Sequence, residues 1–275
     1  MSNHSKNAKT IAVAFLSLAF IAFWVAQKYF GSVFANQDSA TTLFTNTYGI
    51  VALIGGLFAL YISKYWGGLK SLIGRAIFVF GLGLLAQEFG QLMYAFYIYV
   101  QKIEVPYPSL GDIGYFGSVI LYIYGASLLL RATGAKFSLK SMGNKLLALI
   151  LPFALLAVSY LIFLRGYEFD WSSPVTVLLD FGYPLLQATY LAIALLTFML
   201  SRKYLGGIMR LVILFVLISL TFQYIADFTF LYQVKNETWA PGGINDLIYL
   251  ISYALMSLSL LKFESVVKKL DKKEE

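Results

Sequence analysis

The chain has no cysteine, a single histidine (His4), and charged side chains at only 13% of its positions. Without thiols there is no disulfide framework, no thiol nucleophile and no cysteine metal site. One histidine in a polar N-terminal stretch argues against a histidine-based zinc or acid–base centre. The sequence also lacks H-E-x-x-H, G-x-S-x-G, a P-loop and a dinucleotide fingerprint. Leu110-Gly111-Asp112 shares its Gly-Asp step with intramembrane aspartyl proteases, but their second motif, a Tyr-Asp pair in a neighbouring helix, is missing. No nucleophile–base pair is visible, so the expectation is a non-enzyme with no cofactor and no metal.

What the chain has in abundance is apolar length. Of 275 residues, 59% are hydrophobic, and the mean hydropathy is +0.74. Soluble domains are nearer half apolar and a quarter charged. Helices that are apolar all round belong in a bilayer. Windows of about 20 residues give spans beginning near Ile11, Tyr48, Leu72, Asp112, Lys145, Val175, Arg210 and Ile244. The fold class is therefore all-α integral membrane, with eight transmembrane helices.

With the N-terminus in the cytoplasm, all of the 21 Lys and Arg except Lys28, Lys102, Arg165 and Lys235 fall on cytoplasmic segments. That is the positive-inside pattern, and it predicts a multi-pass cell-membrane protein with both termini cytoplasmic. The lipid bilayer is the expected partner, and the net charge of +7 calls for no nucleic acid. Of the 14 acids, only Glu264, Asp271, Glu274 and Glu275 are cytoplasmic in this arrangement. Lys6, Lys9, the apolar run from Ile11 and Val33-Phe34-Ala35 together resemble a signal peptide. The run is long and Ala35 lies far from its end, so a retained first helix is expected.

Three helices begin through the same device: Asp112–x–x–Tyr115, Asp180–x–x–Tyr183 and Asp246–x–x–Tyr249. Arg75 pairs with Arg210, Gln87 with Gln223, Asp112 with Asp246 and Tyr115 with Tyr249, at offsets of 134 to 136. Tyr48 and Tyr183 fit the same spacing, with Thr45 in the place of Asp180. The chain reads as two four-helix repeats in parallel orientation, residues 1–140 and 141–262, followed by a charged cytoplasmic tail, 263–275.

The repeats carry a polar layer. Gln87, Gln91 and Tyr94 follow i, i+4, i+7 on one helix face, with Glu88 beside them. Glu88 lies 13 residues from Arg75, roughly 20 Å along a helix, near mid-membrane. Gln223 and Asp227 make a matching stripe. Asp180, Tyr183, Gln187 and Tyr190 share a face, and Pro184 removes the donor that the Asp180 carbonyl would use, which predicts a kink there. Ionisable groups at such depth face a bundle interior or a water-filled cavity. The candidate ligand-binding residues are Glu88, Gln91, Asp112, Tyr115, Asp180, Tyr183, Gln187, Gln223, Asp227, Asp246 and Tyr249. The alternative for Asp112 and Asp246 is helix capping, and for the Asp–Tyr and Gln–Tyr sets, contact between helices. Phe96, Tyr97, Tyr99 and Trp171 read as interfacial aromatics.

VPYPSLGDIGYFGSVILYIYGASLLL, DFGYPLLQATYLAIALL and ADFTFLYQVKNETWAPGGINDLIYLISYALMSLSLL resemble segments of the multi-helix N-terminal membrane sensor modules of bacterial and archaeal GGDEF, EAL and histidine-kinase proteins. The resemblance covers roughly residues 80–262. It implies an integral-membrane input domain, with Asp112, Asp180, Asp227 and Asp246 as sensing or scaffold residues. The chain ends at Glu275 with no output domain, so the expectation is a stand-alone, sensor-like module binding a small ligand, ion or proton in its outer half, with a separate cytoplasmic or membrane signalling partner. The alternatives are a cation- or proton-coupled transporter, and a structural membrane partner subunit.

Overall fold

The computed structural model describes residues 3–30, 37–133, 140–201 and 208–274. The described residues are helices joined by short turns: α1 (Asn3–Tyr29), α2 (Gln37–Thr47), α3 (Ile50–Tyr65), α4 (Leu72–Ala95), α5 (Leu110–Ala132), α6 (Met142–Ser159), α7 (Pro174–Ser201), α8 (Ile208–Lys235) and α9 (Ile244–Glu274). They form eight spans long and apolar enough to cross a membrane, with α2 and α3 sharing the second. The protein is a multi-pass membrane protein. Residues 33–35, the cleavage-like motif, lie outside the described residues, as do Lys136, Arg202 and Lys203.

Seven spans begin within a few residues of their expected starts, but the second begins at Asp38, ten residues before Tyr48. Its first part, α2, is too polar for a hydropathy window to detect. The hydroxyls of Thr42, Thr45 and Thr47 each donate to the carbonyl four residues back, so the polar side chains are satisfied within the helix itself. Other starts are capped in the ordinary way. The Ser71 hydroxyl accepts from Gly74 N at 2.8 Å to open α4. Ser109 and Asp112 form a reciprocal capping box that opens α5. Helix α7 runs unbroken through Pro184. The distal ends of α4 and α6 widen into π-type turns at Phe96–Gln101 and Tyr160–Leu164.

Six helices close a ring in the order α3, α4, α5, α7, α8, α9, with α9 returning to α3. Helix α1 leans on α9 from outside, and α6 leans on α7. In lipid no hydrophobic force separates helices from their solvent, so close van der Waals approach must hold them together. The α4–α5 contact shows how that approach is made. A Cβ on Gly114 would stand 2.4 Å from the Ala86 carbonyl oxygen, and one on Gly90 would meet the Tyr115 ring at 2.8 Å. Helix α6 instead exposes Leu146, Leu149, Ile150 and Phe153, an apolar surface suited to acyl chains.

Both termini lie at one face of the bundle, hereafter the terminal face. Lys9 and Lys268 pair there with Glu264, and Trp66 Nε1 donates to the Phe263 carbonyl. Helix α9 thus carries the start of the tail as structured helix, with Phe263 and Val266 buried. The turns at 102–109, 165–173 and 236–243 form the opposite, distal face.

Candidate functional site

The polar residues of the ring collect in its distal half, where α5, α7 and α9 begin and α4 and α8 end. Asp112 sits in the first turn of α5. Its Oδ2 accepts from the Ser109 backbone at 2.7 Å, and its Oδ1 accepts from the Tyr183 hydroxyl of α7 at 2.7 Å. Asp246 repeats this on α9. Oδ2 accepts from Gly242 N at 2.7 Å, and Oδ1 lies 3.5 Å from the Tyr48 hydroxyl. Each aspartate therefore caps its own helix and also faces a tyrosine across a seam of the ring. Capping and network membership are roles of the same side chain.

Asp227 is the deepest carboxylate of this network. It accepts from Gln223 Nε2 at 3.0 Å, from Tyr249 at 2.9 Å and from Tyr190 at 2.7 Å. On α4, 136 residues earlier in the sequence, stands Gln91. It accepts from Tyr48 at 2.7 Å and Tyr115 at 3.3 Å, and donates to the Thr45 carbonyl at 2.9 Å. Gln87 donates to Ser118 at 2.7 Å, and Gln223 accepts from Ser252 at 2.8 Å. Gln87 also accepts from Tyr253, which joins the α4 layer to α9. Asp180 stands nearer the rim and accepts from Tyr107 and Tyr167, each at 2.7 Å. That bond pushes the Tyr167 hydroxyl up to about 12, so it remains a donor throughout the neutral range.

Two adjoining chambers lie within this network. The inner one has a volume of about 50 Å³ and is walled by Gln91, Tyr115, Tyr183, Gln187, Asp227, Asn245, Asp246 and Tyr249. The outer one, about 1020 Å³, opens among the distal turns and takes in Asp112, Asp180, Tyr107 and Tyr167. Tyr94, Tyr183, Phe230 and Trp239 border both chambers. Lys102, Glu104, Arg165 and Lys235 stand around the outer chamber. Among the described residues, the ion pairs are those of Glu264 with Lys9 and Lys268, and none involves a chamber carboxylate.

Nine of the eleven candidate residues thus border a chamber: Gln91, Tyr115, Tyr183, Gln187, Asp227, Asp246 and Tyr249 the inner, Asp112, Asp180 and again Tyr183 the outer. Two do not. Gln223 stands behind Asp227 and holds it by a hydrogen bond. Glu88 turns from the chambers towards α3 and is 4% exposed, with Oε2 lacking a hydrogen-bond partner. A Cβ on Gly49 would come within 1.8 Å of that oxygen, so the absent side chain makes room for it.

Several members were not anticipated. Trp239, Tyr107 and Tyr167 come from loops, whose sequence gives no periodic signal. Asn245 is adjacent to the recognised Asp246. The pair Ser118 and Ser252 was detectable, because these residues repeat at the same 134-residue offset as Tyr115 and Tyr249. Tyr99, read as interfacial, turns inward to Thr45 Oγ1 at 2.7 Å, whereas Trp171 is 71% exposed and stacks on Phe169.

No known family model matches the chain, and neither a curated protein nor a solved structure matches it.

Proposed function

We propose that the chain is a sensor-like membrane module that takes a small ligand, ion or proton into the two-chambered cavity from the outer side of the cell membrane. The observation carrying this reading is a cavity lined by four aspartates, to which no basic side chain among the described residues is paired. Interhelical hydrogen bonds in membranes average about 0.6 kcal/mol. Stability alone is a weak reason to keep four carboxylates in one cavity.

The mechanism is a shift between two packings of the ring. Where α5 meets α7, Tyr183 bonds Asp112, and where α9 meets α3, Tyr48 faces Asp246. An occupant that competes for those carboxylates biases both seams together. The paired bonds, at offsets of 134 to 136 residues, favour an internal duplication with one half on each side of the cavity. The terminal face is then cytoplasmic and passes the change to a separate signalling partner. The resemblance to membrane input modules favours the same role.

Thermal unfolding of the purified protein across pH and a panel of cations, amphiphiles and polar metabolites tests the proposal. A ligand-specific rise in Tm, lost in Asp246→Asn, is the expected result. A flat response in both proteins would leave the carboxylates as contacts between helices and remove the proposal. A coupled transporter is the second reading. It draws on Pro184, which leaves the Asp180 carbonyl without its helical donor in the outer chamber. Counterflow in proteoliposomes separates the two, since a sensor carries no flux.

A further inference from the structure

Resting on the ligand-binding reading above, we propose that the occupant is an organic cation: a protonated amine whose head enters the inner chamber and whose body fills the outer one. Four features of the cavity lead to this class.

The first is charge. Asp112, Asp180, Asp227 and Asp246 face the two chambers. The basic residues stand around the outer chamber only, and Lys235 Nζ is already bonded to the Ile162 carbonyl at 2.7 Å. An anion passing inward would leave the cations behind and meet carboxylates.

The second is a pair of acceptors without adequate donors. Asn245 is 1% exposed, borders the inner chamber, and its Oδ1 has no partner. Its orientation is fixed, because Nδ2 donates to the Ala226 carbonyl at 2.8 Å, and a flip would set oxygen against oxygen. Asp246 Oδ1 has only the 3.5 Å approach of Tyr48, whose single proton is directed to Gln91 at 2.7 Å. Both atoms require a donor, which an ammonium head supplies and a carboxylate or phosphate does not.

The third is the wall. Tyr94 meets Tyr115 edge-on with centroids 5.2 Å apart, and meets Trp239 at 6.4 Å. Phe230 meets Trp239 at 5.9 Å. All four rings line the inner chamber, and aromatic rings attract alkylammonium groups. Trp239, which lines both chambers, has a buried Nε1 without a hydrogen-bond partner.

The fourth is size. An inner volume of about 50 Å³ exceeds the roughly 10–15 Å³ that admits one water, which is room for a small head group and not for a whole ligand body. A compact metal ion fits poorly. Among the described residues, no group of three or more His, Cys, Asp and Glu stands close enough to hold one, and the oxygens of Asp227 are occupied by Tyr190, Tyr249 and Gln223.

The test is thermal unfolding of the full chain in detergent at constant ionic strength. The probes are ethylammonium, propylammonium and 2-hydroxyethylammonium, set against sodium, acetate and neutral 1-propanol. The expected result is a saturable rise in Tm with at least one ammonium probe and none with the other three. Asp246→Asn keeps an oxygen for capping and removes the charge, and should weaken that ammonium about tenfold. Trp239→Leu, which alters a half-buried loop residue, gives a second variant with the same expectation if Asp246→Asn does not fold. A saturable shift with sodium, acetate or 1-propanol alone would overturn the amine assignment while leaving a ligand-binding cavity. No saturable shift with any probe would also overturn the amine assignment, and the response across pH and the wider panel would then decide the ligand-binding reading.

Discussion

Asp227 accepts hydrogen bonds from three different side chains, and these neighbours allow its contribution to be measured. Tyr249→Phe removes one donor and leaves two, so the expected loss is about 0.5–1 kcal/mol. Asp227→Leu orphans Gln223, Tyr190 and Tyr249 together, and at about 1–3 kcal/mol for each buried unpaired group the loss should be several-fold larger. The two substitutions should not add, because they share a contact. Reversible unfolding in mixed detergent measures all three proteins, and equal losses for Tyr249→Phe and Asp227→Leu would contradict the arrangement. Gly49 and Glu88 give a second comparison. Gly49→Ala puts a methyl where Glu88 Oε2 lies and should cost roughly 1–3 kcal/mol. The loss should shrink when Glu88→Ala is added, and a neutral Gly49→Ala would show that Glu88 packs elsewhere. Much of this layer was legible in the sequence. Asp three residues before Tyr at a helix start is a local pattern, and Gln91 and Asp227 fall on helical stripes. The direction of Glu88 was not legible. One residue off the stripe is a rotation of about 100°, and whether that rotation faces α3 or the cavity depends on which helix is the neighbour.

At the scale of elements, what the sequence reveals depends on whether a helix announces itself by hydropathy. Apolar spans did, within a few residues. Helix α2 did not, because threonine side chains that bond back to their own helix count as polar in any window although they cost the bilayer little. The inward turn of Tyr99 was equally hidden. It comes from the π-type turn at Phe96–Gln101, which shifts the helical phase beyond Ala95. Packing between elements rests on small residues, and α4 against α5 gives the clearest test. Gly114→Leu would drive a side chain into the backbone of α4 at Ala86 and Gly90. The helices cannot part without also breaking Gln87–Ser118 and Tyr115–Gln91. Loss of a folded, monodisperse protein in size-exclusion chromatography is expected. An equivalent change at Leu149, exposed on α6, to Ala should leave elution unchanged. A well-folded Gly114→Leu protein would contradict the close α4–α5 approach.

For the whole molecule, the consequential question is which face the cavity opens towards. The ring places both termini together and sets the chambers at the opposite end, so orientation and ligand access are one issue. Lys64, Lys70, Arg131, Lys140, Lys145 and Arg210 lie at the terminal face, against Lys28, Lys102, Arg165 and Lys235 at the distal face. On the proposed reading, short connections with that imbalance predict a cytoplasmic terminal face. The absence of native cysteine makes the prediction easy to check, because any single introduced thiol is the only one present. Glu104→Cys sits exposed in the distal 102–109 turn beside the outer chamber, and Lys70→Cys sits exposed in the turn that joins α3 to α4. In intact cells a membrane-impermeant maleimide should label Glu104→Cys directly, and Lys70→Cys only after permeabilisation. The reverse pattern would put the chambers in the cytoplasm and turn the source of any ligand from the surroundings to the cell's own metabolites. The expected pattern also allows a second reading in the same cells. An extracellular ammonium probe that occupies the cavity should slow labelling of Glu104→Cys while leaving Lys70→Cys unchanged. Orientation and occupancy would then be tied to one thiol at the mouth of the site.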